Sequence, residues 1–277
     1  MNLEICSFAS SSSGNSFLIR SENTNILLDV GITMKKMDEN LAQVGITYDE
    51  IDGILITHDH SDHTKCLSSL IKRRGYSNGV YATAGTCAGI LSKTAGIGWS
   101  DFSVISGGEP FQVGDIEIGV FSVSHDTQEP VGFTFTLADS AAGDDGGKIG
   151  VITDTGCIDE DMFAAIKGAD VLVIEANHER NILLYGRYPY PLKQRILGDQ
   201  GHLSNEVTGQ WLVRFMDDLA GAKVPQVVLA HLSTENNTPK QAFITVSNIL
   251  EEKGYYIGKN LFLEVAKKEG LSGFYTT

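Results

Sequence analysis

Apolar and polar positions alternate in short runs along much of the chain. Leu3–Phe8, Ser16–Arg20 and Asn25–Asp29 are apolar-rich and separated by Gly, Ser and Asn turn signals, which predicts three strands. Asp52–Thr57 is a fourth run and ends at a cluster of histidines. Phe111–Ser124 and Val131–Leu137 alternate as half-buried strands do. Ala138–Gly147 reads as a Gly/Asp/Ala hairpin tip leading into Lys148–Thr153. Val171–Glu175 and Gln226–Ala230 are compact apolar runs, the pattern of strands buried on both faces. Helical length and period predict helices over Met34–Val44, Thr64–Arg74, Gly85–Thr94, Asp159–Lys167, Asn205–Ala220 and Pro239–Lys253. Strands and helices recur in both halves, and no linker, repeat or biased tract divides them. The layout predicts two packed sheets with helices outside.

Composition narrows the class. The chain has 277 residues, 42% hydrophobic and 20% charged, enough to bury a large core. No apolar run reaches the roughly 18 residues of a membrane helix, and Met1–Cys6 lacks the basic start of a secretory signal. A cytoplasmic globular protein without a membrane partner is expected. The net charge of −14 gives no general attraction to polyanions, so a local basic patch or a metal must hold any that bind. Cys6, Cys66, Cys87 and Cys157 form no C-x-x-C pair and are expected to be reduced.

The strongest chemical signal is Thr57-His58-Asp59-His60-Ser61-Asp62-His63. Histidine supplies only 7 of 277 residues, so three within six positions argue against an ordinary polar loop. On a strand His58 and His60 would point the same way, and a loop would then turn Asp62 and His63 toward the same centre. Imidazole and carboxylate suit zinc, manganese or iron. His125, Asp154 and His231 each follow a predicted strand, where a sheet edge can gather them.

These residues resemble the metallo-β-lactamase superfamily. His58, His60, Asp62 and His63 match its H-x-H-x-D-H motif, Asp29 its early aspartate, and His125, Asp154 and His231 its later ligand motifs. The resemblance implies an α+β, four-layer αββα sandwich of the metallo-β-lactamase type, formed as a single hydrolase domain over residues 1–277. It places one metal on His58, His60 and His125, and a second on Asp62, His63 and His231, with Asp154 bridging. Two such cations about 3.5–4 Å apart can share a hydroxide and stabilise both attacking and leaving oxygens. Asp29 is expected to orient the histidine loop.

Glu175 and His202 resemble the pair that protonates the leaving oxygen in the tRNase Z-like phosphodiesterase branch, and Asp62 joins them among the expected catalytic residues. Closer still is the WalJ/YycJ-type group, which Ser10–Ser16, Glu175-Ala176-Asn177-His178 and His231–Asn237 resemble. That resemblance implies a DNA exonuclease. His178 is expected to contact the scissile phosphate or a 5′ end, and Ser13 and Asn15 to sit in a loop offering backbone N–H groups to phosphate. Arg180–Gly198 adds Arg180, Arg187, Lys193 and Arg195 with no acidic residue, plus Tyr185, Tyr188 and Tyr190. That segment is +4 in a chain of −14, which suits phosphates and unpaired bases. The inserted domain of β-CASP nucleases and the flexible arm of tRNase Z are not recognisable, which disfavours RNA maturation. Two other readings stay open: hydrolysis of a small ester, thioester or cyclic phosphodiester, and a non-catalytic metal-binding regulator.

Overall fold

The buried strands divide their side chains between two sides. Ile5, Phe17, Ile19, Ile26 and Leu28 share one core with Phe133, Phe135, Val171, Val173 and Val228. Their neighbours Cys6, Phe8, Leu18 and Leu27 face a second core, and Leu172, Ile174, Val227 and Leu229 a third. A strand has period two, so both of its faces must be covered by something apolar. Facing sheets cover one side of each strand and helices cover the other.

The computed structural model describes residues 2–138 and 147–277. One sheet contains β1 (Glu4–Ala9), β2 (Ser16–Arg20), β3 (Asn25–Leu28), β4 (Gly53–Leu55), β5 (Val80–Thr83) and β6 (Ser103–Ile105). The other contains β7 (Phe111–Val113), β8 (Ile116–Ser122), β9 (Val131–Leu137), β10 (Ile149–Ile152), β11 (Val171–Glu175), β12 (Gln226–Ala230) and β13 (Phe262–Val265). The last strand, β14 (Phe274–Thr276), returns to the first sheet. The orders are β14-β1-β2-β3-β4-β5-β6 and β13-β12-β11-β10-β9-β8-β7. Pairing is antiparallel from β14 to β3 and from β7 to β10, and parallel from β3 to β6 and from β10 to β13.

Helices α1 (Met34–Val44), α2 (Ser61–Thr64), α3 (Leu67–Arg74) and α4 (Ala84–Lys93) lie along the first half of the chain. The second half carries α5 (Glu160–Ile166), α6 (Arg180–Tyr185), α7 (Tyr190–Leu197), α8 (Asn205–Leu219) and α9 (Pro239–Glu252). Met37, Leu41, Leu67, Leu70 and Ile90 cover the first sheet, while Met162, Phe163, Leu212, Phe215, Val246 and Leu250 cover the second. The architecture is therefore the expected α+β, four-layer αββα sandwich. Side-chain caps at Thr33, Thr83, Asp159, Ser204 and Thr238 fix helix starts. Among the described residues, no helix is long and apolar enough to cross a membrane.

Several boundaries differ from the pattern reading. The 111–124 run is two strands, because Gly114 (φ 56°) turns the chain between β7 and β8. The helix expected from Thr64 starts at Leu67, after the separate turn α2. Strands β5, β6, β13 and β14 are absent from the pattern reading. Helices α6 and α7 are absent from it too, because Gly186, Pro189 and Pro191 interrupt any helical period there. Apart from its ends, the predicted hairpin tip at 138–147 lies outside the described residues.

The topology puts the carboxyl ends of β3, β4, β10, β11 and β12 along one edge, the usual place for a site in parallel-strand architecture. Three residues just past these strands hold left-handed backbone: Asp29 (φ 57°), Asp154 (φ 55°) and His231 (φ 53°). Asp and His tolerate this conformation better than most residues, and its cost is commonly met where function needs a fixed geometry. Gly31 lets the 60–66 turn approach closely: a Cβ there would lie 1.5 Å from the Asp62 carbonyl oxygen. Gly31→Ala is therefore expected to destabilise the protein by about 1–3 kcal/mol through overpacking. It is also expected to displace the Asp62–His63 turn. Urea unfolding and elemental analysis of the purified variant check this; wild-type stability with wild-type metal content contradicts it.

Candidate metal centre

Strand β4 ends at Leu55, so His58 and His60 sit on a loop and are not carried by a strand, as the sequence suggested. The loop is held from below. The Thr57 N–H donates to Asp29 Oδ1 at 2.9 Å, and His63 Nδ1 lies 2.7 Å from Asp29 Oδ2. With Nδ1 spent on a carboxylate, His63 Nε2 faces the site, 3.3 Å from Asp154 Oδ2 and 3.5 Å from Asp62 Oδ2. The α2 turn delivers Asp62 and His63 together. Asp59, inside the same motif, points elsewhere. It pairs with Lys93 on α4 and accepts from Thr127, tying the loop to its neighbours.

The remaining groups arrive from the second sheet. His125 Nδ1 faces the Gly201 carbonyl at 3.2 Å, which turns its Nε2 to within 3.3 Å of His60 Nδ1. The Asp154 carboxylate reaches both sides of the cluster. Its Oδ1 is 3.3 Å from His231 Nε2 and 3.9 Å from His125 Nε2, and its Oδ2 is on His63. His231 Nδ1 is 2.7 Å from Glu175 Oε1, and its Nε2 is 3.5 Å from Asp62 Oδ2.

Ligand atoms of His58, His60 and His125 lie within 4.8 Å of one another, and so do those of Asp62, His63 and His231. Asp154 shares a third such group with His58 and His63. The donor chemistry fits divalent metal ions: imidazole and carboxylate gathered around one centre, the imidazoles giving up any proton as a cation binds. Two buried atoms, His58 Nε2 and Asp154 Oδ2, have no hydrogen-bond partner among the described residues, as expected of groups directed at a cation. Glu175 belongs to a fourth such group, with Asp154, His202 and His231. Its oxygens, however, face His202 Nδ1 (2.9 Å) and His231 Nδ1, and accept from the N–H groups of Thr155 (3.2 Å) and Leu203 (3.0 Å). It orients imidazoles and has no lone pair to spare for a metal.

The electrostatics follow from this burial. Burial and the neighbouring His63, His125 and His60 hold the His58 imidazole well below its ordinary pKa, so it is neutral. Burial opposes charge on His231 too, but Asp154, Asp62 and Glu175 outweigh it and raise that imidazole to about 10. Burial would push the Glu175 carboxyl up, yet His202 and His231 bring it below its usual range. Asp62 is lowered likewise, by His63 and His231. The cluster thus carries opposed charges that a cation would compete for.

The expected substrate-contacting residues fare differently. Ser13 is exposed, and its hydroxyl pairs with Ser11 at 2.9 Å. Asn15 is turned inward, with its amide Nδ2 3.0 Å from His63 Nε2 and donating to the Ser11 carbonyl, so it braces the centre and does not open toward solvent. His178, expected to contact a phosphate or a 5′ end, is 1% exposed. Its ring nitrogens have no partner among the described residues, and burial lowers its pKa to about 4, keeping it neutral. Lys193 Nζ is spent on the carbonyls of Leu184 (2.7 Å) and Gly186 (2.8 Å), and Arg195 on Asp126. Arg180 and Arg187 are exposed. Thr57, the Gly201 carbonyl and the Asp59–Lys93 pair were not legible as site residues, because each acts through a contact between distant segments.

A sandwich of two mixed sheets with an all-His/carboxylate centre at the strand ends defines a class of metal-site hydrolase folds. The model of the β-lactamase superfamily domain matches residues 24–232, and the chain belongs to that family. It is 35% identical over 259 residues to the exodeoxyribonuclease YycJ of Bacillus anthracis, covering 94% of this chain and 93% of that protein. It is 36% identical over 252 residues to the exodeoxyribonuclease WalJ of Streptococcus pneumoniae serotype 2 (strain D39), covering 90% and 89%. Among solved structures it resembles the metallo-β-lactamase fold protein YhfI of Bacillus subtilis, with a TM-score of 0.69, 14% identity and complete coverage of both chains.

Asp29→Ala removes the acceptor shared by Thr57 and His63. Such partners typically contribute 10–100-fold to metal affinity. Metal titration of the variant is expected to show a loss of that size, and unchanged affinity contradicts the assigned role.

Proposed function

We propose that this protein is a metal-dependent phosphodiesterase and, in particular, a DNA exonuclease. One observation carries the reading: two donor triplets meet at Asp154 beside a Glu175–His202 pair. The chain's extensive identity to proteins named exodeoxyribonucleases supports it. In this reading residues 1–277 act as a single hydrolase domain. Four free cysteines are compatible with work in a reducing compartment such as the cytoplasm.

His58, His60 and His125 would hold one divalent cation and Asp62, His63 and His231 a second, with Asp154 between them; zinc and manganese suit these donors, and iron also fits. Bound there, the pair supplies Lewis acidity and a lowered solvent pKa. The chain's own residues do the rest. Asp29 and Glu175 hold His63 and His231 by their Nδ1 atoms, so their Nε2 atoms face inward. Glu175 also holds His202 at Nδ1, which leaves Nε2 to give a proton to the departing oxygen. The His202 side chain keeps 19% of its surface exposed, so substrate can reach it.

The test follows loss of end-labelled DNA with added manganese or zinc and with chelator. Chelation is expected to stop digestion. His60→Ala is expected to lose both metal and activity. His202→Ala is expected to keep its metal and lose about 10²–10⁴-fold in rate, as removal of a general acid does. DNA digestion by His60→Ala at the wild-type rate defeats the reading. Turnover of a chromogenic phosphodiester with no attack on DNA would instead favour a small substrate.

A further inference from the structure

Large apolar side chains exposed on the described surface are concentrated in one place. Of the ten, four fall between 182 and 190: Ile182 (39%), Leu184 (39%), Tyr185 (89%) and Tyr190 (72%). Scattered single exposures need no explanation, but a cluster marks a contact surface. Tyrosine usually finds partial burial, so two rings this open in one short segment are unusual.

The segment is not loose. Leu183 of α6 is fully buried, and the Glu179 N–H donates to the Asn236 carbonyl at 3.0 Å. Lys193 clasps the end of α6 from α7. Arg195 pairs with Asp126, next in sequence to His125, and the His202 N–H closes on the Ile196 carbonyl at 3.0 Å. The four cations of 180–198 thus divide into two pairs. Lys193 and Arg195 fasten α6 and α7 to the rim of the metal centre. Arg180 and Arg187 remain exposed, with no ion-pair or hydrogen-bond partner among the described residues.

Resting on the nuclease reading above, we propose that the exposed surface of α6 and α7 is a platform for the unpaired end of a DNA strand. Tyr185 and Tyr190 stack on bases, and Arg180 and Arg187 meet the phosphates. Base stacking on aromatic faces is sequence-tolerant, as digestion of an arbitrary strand requires. The local positive charge, in a chain of −14, favours a polyanion at this surface. A second copy of the chain is the poorer occupant. A two-fold contact through this surface would set Arg180 and Arg187 against their own copies, and no acidic residue lies between 180 and 198 to relieve them.

The test measures binding of the metal-loaded protein to a phosphorothioate single strand, which resists cleavage, and to a blunt duplex of the same sequence. The Tyr185→Ala/Tyr190→Ala double variant is expected to bind the single strand at least about tenfold more weakly, with a smaller effect on the duplex. Tyr185→Phe/Tyr190→Phe is expected to bind as wild type, because the ring faces remain. Arg180→Gln/Arg187→Gln is expected to reduce the slope of log affinity against log salt by about 1.4. Bound metal and circular dichroism report that each variant is folded. Undiminished binding by a folded double-alanine variant overturns the platform while leaving the nuclease reading in place. A wild-type dimer in sedimentation that the alanine variant dissociates, with strand binding intact, assigns the surface to a second copy and also overturns it. Wild-type protein that neither binds nor digests DNA overturns the nuclease reading itself.

Discussion

The Glu175 carboxylate is the knot of this structure. It is fully buried at the end of a central strand, where an unpaired charge would cost several kcal/mol. Four groups surround it: the imidazoles of His202 and His231 and the N–H groups of Thr155 and Leu203. These come from the segments after β10 and β12 and from the approach to α8. Satisfying one buried charge therefore fixes the positions of three separate segments. One of the imidazoles belongs to the metal-donor set, and the other is the one placed to donate a proton, so the spacing between those functions is built into a single hydrogen-bond network.

Asp29 does the corresponding job in the first sheet. It sits at the end of β3 in left-handed backbone, buries its carboxylate under Thr57 and His63, and orients the histidine loop from beneath. Asp154 and His231 share that backbone conformation at the ends of β10 and β12. In each case a strand must stop abruptly and turn its next side chain inward across the sheet edge. Such conformations persist where the surroundings over-determine them. Here hydrogen bonds within and between the sheets provide that constraint, including the Ser10 hydroxyl accepting from the His231 N–H at 2.8 Å.

The region between His178 and His202 shows how one charge pattern can hide two uses. By composition its four cations are equivalent. In three dimensions Lys193 is a helix-end clamp and Arg195 a tether to the His125 segment, so only Arg180 and Arg187 contribute exposed charge. The same sorting applies to Asn15 and His178, which read as surface recognition residues and are buried against the machinery.

The alternation of apolar positions was enough to recover most strands and six helices, because burial on two faces or one leaves a period that survives in the sequence. The H-x-H-x-D-H cluster was legible for a related reason: its members are adjacent in the chain, so their density is visible without folding. His125, Asp154, Glu175 and His231 were legible as strand-end residues. What folding alone decided is how each nitrogen and oxygen is spent. The Glu175 link to His231, the Gly201 carbonyl behind His125, the left-handed turns and the division of labour among Arg180, Arg187, Lys193 and Arg195 all depend on segments tens of residues apart meeting in space. Side-chain type is a property of one position, whereas tautomer, exposure and available lone pairs are properties of a neighbourhood, and that neighbourhood exists only once the two sheets have closed on each other.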